Sequence, residues 1–324
     1  MKKKYLNISI SNLEKLIFKK SNEFLDIDSS KILAKLIVRA EKMKILTHGI
    51  HYFVHSVHPL LKQKKIFFKN KVIKNFVYTE ALSDGAVGII NTFKCLNKAS
   101  EIAKKRGFAM FIAKNPGKVG ALRVYCPEII KKDQLIVLLK NTAPTQGTKK
   151  TKKAVIGTNP LAIGIPGSKF IYDSSTSTVA TNSIRLKNKY NENFALNVGF
   201  TKNLSLTKKS KILLNKGSYL NTFAENNFWF KSFYLGVAIE LIGALCGGNT
   251  SYRVGESKGS RLYSQEGMLG IIIDKSVFPS YKKYKSEMKL LINELKKMNL
   301  RIPGKLIDTK IIRVFKEDLE KILA

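Results

Sequence analysis

The spacing of apolar positions divides the chain into a helical beginning and a mixed middle region. Residues 8–26 and 28–46 repeat apolar side chains at helical spacing. Ser11 followed by Glu14 matches a capping box at the start of the first helix. A third helical segment carries the four histidines of the chain, so the first 65 residues are predicted to be all-helical.

Beyond residue 65 the pattern changes to short runs rich in β-branched and aromatic residues, which are typical of strands. These predicted strands cover residues 66–79, 86–91, 108–113, 135–140, 153–157 and 161–165. A helix from Leu96 to Arg106, ended by Gly107, lies among them. The middle of the chain is therefore predicted to be a mixed α/β region.

The last part of the chain contains one more strand and three helices. The predicted elements are an apolar helix at Ser232–Cys246, a strand at Leu269–Asp274, and helices at 279–298 and 314–323. We expect two domains. Residues 1–65, joined by C-terminal helices at about 279–324, form a helical domain, and residues 66–278 form a mixed α/β domain.

Composition changes this picture little, although the net charge is +35. Only eight of the 58 basic residues are arginine, and the lysines are scattered from end to end. Proteins that bind nucleic acids usually gather basic residues on one face and exploit the arginine fork. Strong A+T codon bias produces this excess of lysine and asparagine, so we expect no specific nucleic-acid partner.

The chain shows no signal for a membrane or for an oxidising compartment. Its first residues begin like a signal peptide, but the apolar run that must follow is missing. The apolar stretch at 234–246 is too short to span a bilayer. Three widely spaced cysteines suit a reducing compartment. We therefore expect a cytoplasmic protein with no membrane partner.

All four histidines fall within eleven positions, at His48, His51, His55 and His58. On one regular helix these offsets place the four rings within an arc of roughly 80°. Pro59 is predicted to end that helix. Histidine transfers protons near neutral pH and is a common metal ligand, so this segment is a candidate site.

Two readings of the histidine row remain. His51, His55 and His58 are expected to be packing or surface residues. A metal site at these spacings is geometrically feasible, but no cysteine and no nearby Asp or Glu completes it, so we expect no bound metal.

The common phosphate-binding signatures, Gly-x-Gly-x-x-Gly and Gly-x-x-x-x-Gly-Lys-Ser/Thr, are absent from the sequence. Three other segments stand out. They are Thr47-His48-Gly49, residues 155–166 with Asn159-Pro160 at their centre, and a hydroxyl-rich run at 173–180. Hydroxyl groups and backbone N–H groups at such a turn can bind phosphate or ribose oxygens.

In this order and spacing, the three segments resemble the type 2 malate/L-lactate dehydrogenase family of NAD(P)-dependent oxidoreductases. The resemblance covers nearly the whole chain. It also takes in Ser83-Asp84-Gly85, the Asn115…Gly120-Ala121 segment, residues 156–160, Lys231 to Leu235 with Glu240, Gly267, and Pro303-Gly304.

The resemblance implies a fold outside the Rossmann group, in which a helical part packs on a mixed α/β part that binds NAD or NADP. It implies a homodimer with the active site near the subunit interface. His48 is then the proton donor and acceptor for a 2-oxo acid substrate. The residues that match the family's cofactor-binding segments are Asp173, Ser174, Ser175, Thr176, Ser177, Thr178, Val179, Lys231, Ser232, Gly304 and Lys305.

The chain departs from the family pattern at polar positions. Tyr52 stands where the family usually has an arginine suited to a substrate carboxylate, and Lys118 stands where it has a histidine. Asn197 replaces an aspartate, and Lys305 replaces a glutamate. Thr47, Tyr52, Lys118 and Asn197 remain candidate substrate-binding residues.

Three hypotheses follow. The first is an oxidoreductase with altered substrate choice, in which Lys118 takes over carboxylate binding. The second is a dimeric binding protein on the same scaffold that has lost catalysis. The third is a polyanion-binding protein, based on the lysine excess.

Overall fold

A seven-stranded sheet forms the centre of the computed structural model, which describes residues 4–64, 67–82, 87–224, 228–251, 265–304, 306 and 308–323. In spatial order its strands are β2 (Phe68–Ile73), β3 (Phe76–Ala81), β4 (Phe108–Lys114), β11 (Gly267–Asp274), β5 (Gln134–Lys140), β6 (Leu161–Gly164) and β7 (Ile171–Ser174). Only β3 and β4 run parallel to each other; all other neighbours are antiparallel. The fold is therefore mixed α/β, as the sequence predicted.

Two smaller sheets flank this one. In the first, β1 (Tyr5–Ser9) pairs antiparallel with β12 (Ile311–Phe315) and joins the two ends of the chain. The second contains β8 (Gly199–Phe200), β9 (Leu206–Thr207) and β10 (Tyr219–Leu220).

The helices lie near both ends of the chain and on both faces of the central sheet. They are α1 (Ile10–Asn22), α2 (Ile27–Lys42), α3 (Ile50–Tyr52), α4 (His58–Lys62), α5 (Gly88–Arg106), α6 (Cys126–Ile130), α7 (Thr181–Lys189), α8 (Ser210–Leu213), α9 (Trp229–Leu245), α10 (Tyr281–Lys297) and α11 (Lys316–Leu323). A π-helical turn, Phe53–Val57, joins α3 to α4. One continuous apolar core runs from α1 and α2 through α5 to the central sheet.

Glycine allows the close packing of α9 on the sheet. A Cβ atom at Gly267 would lie 1.8 Å from the carbonyl oxygen of Gly243. Contact this close is available only where neither residue has a side chain. The helix therefore rests directly on the start of β11, beside the cleft described below.

Several local predictions are wrong. The first helix begins at Ile10 with Ser9 as its cap, not at the Ser11 capping box. Residues 88–91 begin α5 rather than a strand, and residues 153–157 form only an isolated bridge at Ile156. Residues 88–90 are buried, and periodicity alone cannot assign a short buried apolar run to a strand or a helix.

The C-terminal region also differs from expectation. Residues 311–315 pair with β1, so part of the predicted helix at 314–323 is a strand. Helix α10 contacts the α/β part, since Tyr284 donates to the Pro166 carbonyl oxygen and Tyr281 to Asp133. The segment 279–298 therefore contacts the α/β part, and the division into two domains stays a prediction.

Candidate functional site

His48 lies in a tight turn between α2 and α3. Its backbone N–H donates to the Ile45 carbonyl oxygen at 2.8 Å, and the Ile50 N–H donates to Glu41 Oε1 at 2.7 Å. A Cβ atom at Gly49 would lie 1.9 Å from the same Glu41 oxygen, so a side chain here would displace the Glu41 carboxylate. Buried Glu41 thereby fixes the turn that carries His48. Burial raises the pKa of Glu41 to about 7, an effect that the Ile50 hydrogen bond opposes.

The His48 ring is held on one side and open to a cleft on the other. Its Nδ1 lies 2.9 Å from Thr47 Oγ1, and its ring is 5.4 Å from the Tyr52 ring. Loss of solvent contact and, as the smaller cause, the positive charge of Arg123 together lower the pKa of His48 to about 4. At neutral pH the imidazole is therefore uncharged and able to accept a proton.

The four histidines do not share one face. The π-helical turn inserts an extra residue, because the His58 N–H donates to the Phe53 carbonyl oxygen five positions earlier. His51 and His55 turn away from the cleft and contact Asp318 of α11. His58 packs between Phe24 and Phe53.

Two premises about this segment are wrong. Pro59 does not end the helix; it occupies the first turn of α4, where the missing N–H leaves no bond unmade. An acidic residue does lie near the histidines, since the fold brings Asp318 to them.

His48 lines a cleft of about 800 Å³. The hydroxyl-rich run at the end of β7 also lines the cleft, through Ser174, Ser175, Thr178 and Val179. Thr158 and Pro160 line it too, so the structure brings together all three segments singled out from the sequence. A volume of this size is within the usual range for small-molecule and cofactor sites.

The other members of the hydroxyl run serve the turn itself. Thr176 and Ser177 are buried, and their hydroxyls bond to Gln146 and Val179 respectively. Asp173 lines the cleft with its carboxylate 2.8 Å from Arg123 Nε. Burial raises the pKa of Asp173, and the Arg123 charge opposes that rise.

Three further predicted cofactor residues, Lys231, Ser232 and Gly304, lie outside the cleft lining. Lys231 is exposed and stacks on Phe228, and the buried Ser232 hydroxyl accepts a bond from the Ala224 N–H. Gly304 lines a neighbouring cavity that Arg123 also reaches. Lys305 lies outside the described residues, as does the Ser83-Asp84-Gly85 segment.

Of the predicted substrate residues, Thr47, Tyr52 and Lys118 line the cleft. The Tyr52 hydroxyl accepts a bond from the Gly120 N–H at 3.2 Å, so it supports the turn that carries Lys118. Burial lowers the pKa of Lys118. The positive charges of Lys140 and Arg185 lower this pKa further, whereas the negative charge of Glu266 raises it. Asn197 is exposed and outside the cleft lining.

Arg123 is a site residue that the sequence reasoning missed. It follows the Gly120-Ala121 turn, lines the cleft, and is charged beside His48. The Arg123 Nε donates a hydrogen bond to Asp173, and the two Nη groups make no hydrogen bond to any residue that the structure describes. One signal was available: it is one of only eight arginines in a lysine-rich chain.

Basic side chains outnumber acidic ones along the cleft. Lys118, Lys140, Arg123 and Arg185 are among them, and Lys140 is paired with Glu266. Such a cleft attracts anionic ligands. Within the part of the chain that the structure describes, no helix is long and apolar enough to cross a membrane.

Comparison of the sequence with known proteins identifies the family of this chain. A family model described as malate/L-lactate dehydrogenase matches residues 9–308. The chain belongs to the malate/L-lactate dehydrogenase family. It is 27% identical over 300 residues to the malate/(S)-sulfolactate dehydrogenase of Methanothermus fervidus, covering 90% of this chain and 87% of that protein. It is 24% identical over 291 residues to the L-sulfolactate dehydrogenase of Methanocaldococcus jannaschii, covering 86% and 82%.

Solved structures show the same fold. The malate dehydrogenase of Entamoeba histolytica superposes with a TM-score of 0.81 at 19% identity, covering 98% of this chain and 91% of that one. The delta1-piperideine-2-carboxylate reductase of Pseudomonas syringae gives 0.79 at 19% identity, with 98% of each chain covered. The family membership supports an oxidoreductase, as expected from the sequence.

Proposed function

We propose that this protein is an NAD(P)-dependent oxidoreductase that interconverts a small 2-oxo acid and the matching 2-hydroxy acid, with His48 as proton donor and acceptor. The observation that carries the proposal is that His48 and the Ser174–Val179 segment line the same basic cleft. Family membership supports the reaction class.

The residues of the cleft fit a dinucleotide. Ser174, Ser175 and Thr178 donate their hydroxyl protons to backbone carbonyl oxygens, so their hydroxyl oxygens can accept from the ribose hydroxyl groups. Thr145 Oγ1 and Tyr190 Oη are buried at the cleft and have no hydrogen-bond partner among the described residues. A buried hydroxyl without a partner costs stability, and a polar ligand removes that cost. The sequence and these contacts do not favour NAD over NADP.

His48 supplies the acid–base chemistry. When bound, the dihydronicotinamide supplies a hydride to carbon 2 of the oxo acid. The oxygen on that carbon then needs a proton, which a neighbouring imidazolium can donate. The contact of His48 Nδ1 with Thr47 orients the ring, so Nε2 is the atom presented to the substrate. In the reverse direction, Nε2 accepts the proton of the hydroxy acid.

The low pKa of His48 sets the protonation state in each direction. With a pKa of about 4, free His48 is already the base that hydroxy-acid oxidation needs. In the oxo-acid complex, a carboxylate beside Arg123 neutralises the charge that helps to lower this pKa. An anion nearby also favours the imidazolium, so substrate binding itself raises the pKa of His48.

Arg123 is the group that we assign to the substrate carboxylate. The family position four residues after the histidine is Tyr52 here, which cannot replace a cation. Arg123 lies in the same cleft, and its Nη groups can bind a carboxylate in bidentate fashion. Lys118 supplies a second cation, as expected from the sequence. This arrangement supports altered substrate binding rather than loss of catalysis.

A homodimer also remains our proposal, and α9 supports it. This helix is apolar around its whole circumference, which is typical of a helix covered on all sides. Tyr234, Leu241 and Leu245 on its outer face are nevertheless exposed, Leu245 by 86%. A second copy of the chain would cover them. Light scattering is expected to give twice the chain mass, and Leu241→Glu is expected to give monomers; a monomeric parent protein would contradict this.

A cofactor titration tests the main proposal. We expect quenching or a blue shift of NADH or NADPH fluorescence at micromolar protein, with turnover of at least one member of a panel of 2-oxo acids. Cofactor binding without turnover of any panel member would favour the noncatalytic binding protein. Tight oligonucleotide binding that survives raised salt, without cofactor binding, would favour the polyanion-binding protein.

A further inference from the structure

A cluster of two histidines and one aspartate lies behind the cleft wall, apart from the proposed catalytic site. His51 Nδ1 is 2.9 Å from one oxygen of Asp318, and His55 Nε2 is 2.9 Å from the other. The three ligand atoms all lie within 4.8 Å of one another. Asp318 is completely buried, while the His55 side chain is 32% exposed. The cluster is thus closed on one side and reachable from solvent on the other.

The cluster has the chemistry of a zinc site. Two imidazoles four positions apart on a helical segment, with one carboxylate, form a ligand set that Zn²⁺ prefers. Metal–ligand distances of about 2.0–2.1 Å place tetrahedral donors about 3.4 Å apart. The His55 side chain is 32% exposed, and we expect a change of its rotamer to bring the donors to that spacing. A water molecule from the open side would complete the tetrahedron.

We propose that His51, His55 and Asp318 form a Zn²⁺-binding site that pins α11 to the helical segment carrying His48. This inference is independent of the proposed reaction, because His48 is not a ligand and no catalytic step uses the metal. From the sequence alone no metal is expected here, because no cysteine and no acidic residue nearby in the chain completes the site, but the fold supplies Asp318, which is 267 residues from His51.

Lys189 acts as a built-in competitor for this site. Its Nζ lies 3.2 Å from the Asp318 oxygen that faces His55, and 2.9 Å from Glu317. A divalent cation at Asp318 repels Lys189, which keeps Glu317 as its partner. Removal of the lysine charge should therefore tighten metal binding, whereas a purely structural ion-pair cluster would only lose a contact.

Metal binding would also act on the cleft. Asp318 follows β12, whose Phe315 stacks on Tyr190 at 4.8 Å, and both of these residues line the cleft. His51 packs edge-on against Phe315. A metal that holds α11 in place would therefore stiffen this wall of the cleft.

The test is Zn²⁺ titration calorimetry on tag-free protein that has been treated with a chelator and then freed of it. We expect one Zn²⁺ per chain. His55→Gln and Asp318→Asn should each weaken binding by about 100-fold, and Lys189→Gln should tighten it by about 10-fold. Lys187→Gln is the matched control, because Lys187 contacts Glu192 rather than Asp318. His55 is partly exposed, so its variant is expected to fold even if the Asp318 variant does not.

A rise in the Tm of the parent protein of about 3 °C or more in excess Zn²⁺, lost in His55→Gln, would support the site. Three results would each overturn it. The first is that no stoichiometric Zn²⁺ binding is seen with protein at about 100 micromolar. The second is that the parent protein and His55→Gln bind Zn²⁺ with equal affinity. The third is that Lys189→Gln and Lys187→Gln have the same Zn²⁺ affinity.

Discussion

Replacing Arg123 with glutamine tests two consequences of its charge at once. We expect the KM for the 2-oxo acid to rise, because the substrate carboxylate loses its cation. We also expect the pKa of His48 to rise, because the Arg123 charge is one of the two causes that lower it. Both effects come from one guanidinium, so they should appear together.

The magnitudes follow from the contacts. A hydrogen bond to a charged group contributes about 1.5–3 kcal/mol, which corresponds to a loss in kcat/KM of about 10- to 100-fold. The pKa of His48 is about 4 in place of the ordinary 6.5, and burial is the larger cause. Removal of Arg123 therefore restores less than half of the difference, and the pKa should move to about 5.

The assay is the pH profile of kcat/KM for hydroxy-acid oxidation, which reports the pKa of the free enzyme. Oxidation needs neutral His48, so activity should be constant near neutral pH and fall to half near pH 4. In Arg123→Gln the midpoint should lie near pH 5. Activity must return at pH 7 after each acid exposure, so that unfolding is not mistaken for titration.

Two control variants separate charge from structure. Arg123→Lys keeps the charge, so the pH midpoint should stay near 4 while the KM rises in part. In the single variant Arg123→Gln, the buried carboxylate of Asp173 loses its partner. The double variant Arg123→Gln, Asp173→Asn removes that carboxylate and so controls for the loss of the ion pair. The cofactor Kd of Arg123→Gln does not decide the test, but an unchanged KM together with an unchanged pH midpoint would contradict both roles of Arg123.

Two further predictions concern the turn that carries His48. Gly49→Ala should lower kcat by about 10-fold or more and reduce stability, because the new Cβ atom would clash with Glu41; unchanged kcat and Tm would contradict the close approach. Glu41 has its pKa raised to about 7, so it favours the folded state most at low pH, and its contribution is lost as pH rises through 7. The pKa shift of Glu41 from 4.5 corresponds to about 3 kcal/mol of unfolding free energy. In Glu41→Gln, the unfolding free energy measured with urea should therefore depend less on pH between about pH 5 and 8. The same pH dependence in the variant and the parent protein would contradict this role of Glu41.

Local patterns predicted much of the fold. Apolar spacing located α1, α2, α9 and most strands of the central sheet, because each has one buried face or is buried throughout. The errors concentrate where local signals are ambiguous. The start of α5 is a short apolar run, and Pro59 follows a π-helical turn, whose widened spacing has no distinctive composition.

The candidate site was only partly visible in the sequence. His48 and the hydroxyl run could be found because each is a local motif that resembles a known family. Arg123 and Asp318 could not, since their meaning depends on partners 50 and more than 260 residues away. Asn197 is exposed and lies outside the cleft lining of the single chain, so its role in substrate binding stays a prediction.

The most direct measurement is the turnover of His48→Ala together with its cofactor affinity. An acid–base group contributes about 100-fold or more to the chemical step, so kcat should fall by at least that factor. The Kd for the reduced cofactor should stay within about twofold of the parent value, since the ring acts on the substrate oxygen. Turnover that survives the substitution, or that is lost only together with cofactor binding, would contradict the assignment of His48.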